Sequence, residues 1–82
     1  MGEVVTWDKG GSAEIVAIDG DRVTLRSTVP SPPGSRIEGA LALGGRLRVK
    51  VHGAKKQEDG GFVIEGRALD LGRELRERIA RG

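Results

Sequence analysis

The chain has 82 residues, 14 Lys and Arg against 12 Asp and Glu, a net charge of +2, and no cysteine. A chain this short forms one domain, residues 1–82, around a modest core. Disulfides and thiolate metal ligands are excluded, no apolar run approaches the roughly 20 residues of a membrane span, and the start of the chain lacks a signal peptide's basic region, so a cytoplasmic location is expected.

Glu3 to Trp7 is predicted as a short first strand, and Asp8-Lys9-Gly10-Gly11-Ser12 as a turn. Ala13 to Ile18 is rich in Ile and Val and reads as a strand. Asp19-Gly20-Asp21 between apolar runs is a hairpin signal. Arg22 to Val29 alternates cleanly, with Val23, Leu25, Ser27 and Val29 on the core face and Arg22, Thr24, Arg26 and Thr28 on the solvent face. Pro30-Ser31-Pro32-Pro33-Gly34-Ser35 ends that strand, since proline cannot donate to a ladder.

Arg36 to Leu43 resumes the alternation, with Ile37, Gly39, Leu41 and Leu43 on one face and Gly39 marking a bulge or a close backbone contact. Gly44-Gly45 is a two-residue turn. Arg46 to His52 alternates best: Leu47, Val49 and Val51 point one way, and Arg46, Arg48, Lys50 and His52 the other. Gly53 to Gly61 reads as a polar loop, and Phe62 to Ala68 as the last strand. Leu71, Leu75 and Ile79 then repeat every four residues, which predicts a helix over 70–80 with Asp70 as N-cap and Glu74–Arg78 and Glu77–Arg81 as i,i+4 pairs. Such a short helix needs to dock on the sheet, at a barrel end, to persist. Six short strands in hairpin order predict a mostly β fold, an antiparallel sheet closed into a small barrel, with one C-terminal helix.

The residues of catalysis are missing. Nucleophilic chemistry needs a nucleophile beside a base, and the chain offers no cysteine, one histidine and no nucleophile elbow. A zinc site cannot be built from His52 alone, which is expected to be a solvated surface residue. Asp19 and Asp21 are turn residues, and the paired glycines lack the Lys-Ser/Thr of a phosphate loop. The sequence therefore predicts a protein that binds rather than catalyses, with no cofactor and no metal.

The candidate binding residues are basic: Arg46, Arg48, Lys50 and His52 on one strand face, Arg22 and Arg26 on another, and Lys55 and Lys56 nearby. Adjoining faces would make a cationic surface suited to phosphate; acidic neighbours such as Glu38 and Glu65 would neutralise it. Single-strand nucleic-acid binding calls for aromatics among the basic residues, and neither Trp7 nor Phe62 lies in the stripe.

From Ala13 onward the chain resembles a PilZ domain. The resemblance is carried by Glu14 to Ile18 leading into Arg22 to Ser27, then Pro33-Gly34-Ser35-Arg36-Ile37-Glu38-Gly39, Leu47 to Val51, Phe62 to Ala68 and Leu75-Arg76-Glu77-Arg78-Ile79. It implies a six-stranded, split-barrel type fold and, for many members, a cyclic di-GMP receptor. The family's two ligand motifs are absent: residues 1–12 hold no arginine for R-x-x-x-R, and Ala17 to Arg22 gives Ala, Asp and Arg where [D/N]-x-S-x-x-G belongs. Arg22 to Arg26 spells R-x-x-x-R, but inside a predicted strand. The resemblance thus implies a non-catalytic, PilZ-like regulatory module acting through another protein, in bacterial signalling or motility. Two alternatives stand beside it. One is a cyclic di-GMP receptor using the non-standard residues Arg22, Arg26, Arg46, Arg48 and Lys50; the other is a small barrel binding nucleic acid or another anion.

Overall fold

A computed structural model describes residues 2–69 and 71–81, and the side chains of all of these except 80 and 81. Six strands and a helix follow one another: β1 (Val4–Trp7), β2 (Ser12–Asp19), β3 (Arg22–Ser27), β4 (Arg36–Leu41), β5 (Arg46–Lys56), β6 (Phe62–Leu69) and α1 (Arg73–Arg81). The strands close into an antiparallel barrel in the order β1-β2-β3-β6-β5-β4, with β4 pairing back onto β1. Closure leaves no free sheet edge. In this ring β3 and β4 stand opposite each other, so the proline-containing connection between them must cross one mouth of the barrel.

The predicted alternation fills the interior. Val23 and Leu25 from β3, Leu47, Val49 and Val51 from β5, and Val5, Ile15 and Ile64 are fully buried. Trp7 enters the same core because Gly39 faces it: a Cβ there would lie 2.9 Å from Trp7 Cε3 and 2.5 Å from the Thr6 carbonyl. The indole Nε1–H donates to Ser27 Oγ at 3.0 Å, and that hydroxyl donates onward to the Val29 carbonyl at 2.8 Å. The one polar donor of the aromatic core is therefore satisfied.

The predicted boundaries shift by one residue at β1, β2 and β6, the helix begins at Arg73 rather than residue 70, and the remaining changes fall at three strand ends. β3 ends at Ser27 rather than Val29, because the Ser27 hydroxyl also accepts from Val29 N and draws the chain out of the ladder. β4 ends at Leu41, where Gly44 N donates to the Leu41 carbonyl and Glu3 Oε2 accepts from Leu43 N. Gly44 and Gly45 supply the positive φ this turn needs, 107° and 89°. β5 runs on through Lys56, so residues 53–56 are strand and only the turn beyond them is loop. A bulge between Val51 and Gly53 lets it continue, leaving His52 as the extra residue.

The helix closes the mouth opposite the proline loop. Ile79 is fully buried, Leu71 is buried, and half-buried Leu75 packs against the core close to Gly45. The predicted cap, Asp70, and the Arg81 side chain of the predicted Glu77–Arg81 pair lie outside the described residues. The i,i+4 pair present is Arg73–Glu77, at 3.6 Å; among the described residues no ion pair joins Glu74 to Arg78. No helix among the described residues is long and apolar enough to cross a membrane.

Candidate functional site

Strand register decides which outward charges meet. Arg36 on β4 is opposite Lys50 on β5, Lys50 is opposite Arg67 on β6, and Arg67 is opposite Arg22 on β3. Four cations thus form an unbroken row across four adjacent strands of the six, and all four side chains are exposed. At the usual strand spacing of about 4.8 Å the row is roughly 14 Å long. Arg22 opens β3 at the helix end, and Arg36 opens β4 at the other mouth. The row climbs the barrel obliquely, as strand tilt requires.

Acidic side chains neutralise little of it. Arg67 Nε pairs with Asp21 Oδ2 at 2.6 Å. Among the described residues Arg22, Lys50 and Arg36 have neither an ion pair nor a side-chain hydrogen bond. Glu65 sits on β6 two residues before Arg67, paired with Thr24 and Gly53 rather than with a cation. His52, exposed as expected, lines with Asp21, Arg22, Gly66 and Arg67 a shallow depression of about 310 Å³ beside the row.

The five residues singled out from the sequence therefore separate. Arg22 and Lys50 belong to the row. Arg46 is held by Asp8 and by Glu38 Oε1 (3.4 Å), and Arg48 Nε lies 3.7 Å from the same Glu38 oxygen. Those two bear out the expectation that Glu38 neutralises part of the stripe. Arg26 is two ladder steps beyond Thr24, opposite Glu14 and Val63, with Val63 between it and Lys55. Arg36 and Arg67 complete the row and were not singled out. Each falls on the outward face of its predicted strand, but only the β3-β6-β5-β4 order shows that the faces adjoin.

A row of like charges directly opposed across strands disfavours the isolated barrel. It can bind extended or multivalent anions through charge-assisted hydrogen bonds, guanidiniums offering paired donors and Lys50 a point charge. Among the described residues no group of three or more His, Asp or Glu could hold a metal ion. The chain matches no protein-family model, no curated protein and no solved structure.

Proposed function

We propose that this barrel is a non-catalytic, PilZ-like interaction module that docks an acidic segment of a partner protein, in bacterial signalling or motility, on the row Arg36–Lys50–Arg67–Arg22. One observation carries the reading: among the described residues three of the four cations lack an acidic partner, although β4 carries Glu38, β6 carries Glu65 and Asp21 precedes β3. A partner's carboxylates would relieve the repulsion along the row and complete its hydrogen bonding. A protein partner is favoured over single-stranded nucleic acid because no aromatic stands on the row. Trp7 is inside the barrel, and Phe62 sits at the start of β6, five residues from Arg67.

A cyclic di-GMP receptor using non-standard basic residues is the second reading. The depression that Arg22, Arg67 and His52 line offers positive charge beside a concave surface. Calorimetric titration with a short glutamate-rich peptide, cyclic di-GMP and a duplex oligonucleotide separates the classes. Saturable, salt-weakened binding of the peptide alone supports the docking module. Binding of cyclic di-GMP alone transfers the row to the second reading, and binding of the duplex alone makes it a nucleic-acid surface.

A further inference from the structure

The mouth not covered by the helix holds a crevice of about 400 Å³. Its apolar lining comes from Trp7, Val29, Pro30 and Ile37, and the turn after β1 and the loop after β3 form its sides. Val29 and Ile37 are half-buried, packed against the core yet not closed over. Four charged residues line the same space: Asp8, Lys9, Arg36 and Glu38. Asp8 and Glu38 are engaged by Arg46, and Glu38 also by Arg48. Lys9 and Arg36 have no ion pair among the described residues. The uncompensated charge at this apolar opening is therefore positive.

Arg36 belongs to both features. It lines the crevice and it is the upper end of the cationic row. We infer that the two form one composite site for an extended acidic segment bearing a single apolar anchor residue. The anchor enters the crevice between Trp7, Val29 and Ile37, and the carboxylates run from Arg36 across Lys50 and Arg67 to Arg22. A row of roughly 14 Å corresponds to about four or five residues of extended chain at ~3.3 Å each, so the acidic stretch adjoins the anchor directly. The pocket supplies the anchor and the flanking charges supply register, the usual division of labour at a peptide-binding surface. This inference rests on the reading of the row as an acidic docking surface.

The test uses two fluorescein-labelled probes, a peptide of five acidic residues and the same peptide with one leucine added at either end. Burying a leucine side chain corresponds to about tenfold in affinity or more. The leucine-bearing peptide is expected to bind at least that much tighter. It is also expected to move the single indole N–H resonance of Trp7 and the backbone amides of Gly10 and Ile37 in addition to those of Lys50 and Arg67. The leucine-free peptide is expected to move the row amides alone, and Arg36→Glu to weaken both peptides. Row shifts with both peptides but no leucine gain and a stationary Trp7 signal would overturn the composite site and leave the docking function standing. Trp7 shifts without row shifts would overturn it by severing crevice from row. No shift with either peptide would overturn the docking function itself.

Discussion

Lys50 on β5 stands directly opposite Arg67 on β6, placing like charges face to face at the centre of a row that Arg36 and Arg22 extend on either side. Such cross-strand pairs oppose folding by a few tenths of a kcal/mol each. Lys50→Glu replaces two repulsions with two attractions, so the free barrel is expected to gain about 0.2–1 kcal/mol in urea unfolding. The same variant is expected to lose binding to acidic peptide. Stability up and binding down is a signature that a merely solvated lysine would not give.

Arg46 and Lys50 are outward residues of one strand and are expected to behave differently. Arg46 already faces Asp8 and Glu38, with about half of its side chain exposed. Arg46→Gln removes surface ion pairs worth at most about 1 kcal/mol and should leave peptide affinity within about twofold. Lys50→Gln should weaken the peptide severalfold in the same anisotropy titration.

Ser27 satisfies the Trp7 indole from within the core. Ser27→Ala leaves a buried N–H without its acceptor and frees the Val29 backbone groups the hydroxyl holds. The expected cost is about 1–3 kcal/mol in chemical denaturation, read with Trp7 fluorescence as the probe.

Gly39→Ala tests the close approach of β4 to β1. The added methyl meets the Thr6 carbonyl and the Trp7 ring, one a backbone atom and the other a packed core group. A loss of about 1–3 kcal/mol is expected, the range for overpacking a filled core. Alanine at exposed Gly72, where a Cβ meets nothing within 4 Å, should be tolerated.

Among the described helix side chains, Ile79 is the most deeply set against the barrel. Ile79→Ala is expected to cost about 2–5 kcal/mol in thermal or urea unfolding if the helix closes the barrel end as part of the core. Loss of far-ultraviolet helical signal ahead of the barrel transition would mark the helix as a separately melting element.

Much of this fold is legible in the amino-acid order. The period of two over Arg22 to Ser27 and Arg46 to Val51 assigns each side chain to core or solvent, and the four-residue repeat of Leu71, Leu75 and Ile79 marks the helix. Legibility fails where the chain changes phase. At the bulge between Ile15 and Ala17 the alternation breaks: Val16 and Ala17 are both exposed, and Ile18 turns back to pack against the core. The bulge at Val51/Gly53 disguises the rest of β5 as a loop. The site is less legible still. Lys50 and Arg22 look like surface charge on strands distant in sequence, and Arg36 and Arg67 are inconspicuous alone. Only long-range register brings them together, because a one-residue slip on any strand would send its cation inward. The crevice is invisible for the same reason: Trp7, Val29 and Ile37 meet only because β3 and β4 face each other across the ring.

Docking of an acidic partner segment on the row depends on the row's positive charge. The most direct measurement is the salt dependence of acidic-peptide affinity, compared between the wild-type chain and a variant with Arg22, Lys50 and Arg67 all changed to Gln, both shown folded by circular dichroism. If the row docks that segment, wild-type binding saturates and weakens steadily as salt rises, and the variant loses about tenfold or more with a flatter salt dependence. Equal affinity and equal salt dependence in the two proteins would contradict docking on the row.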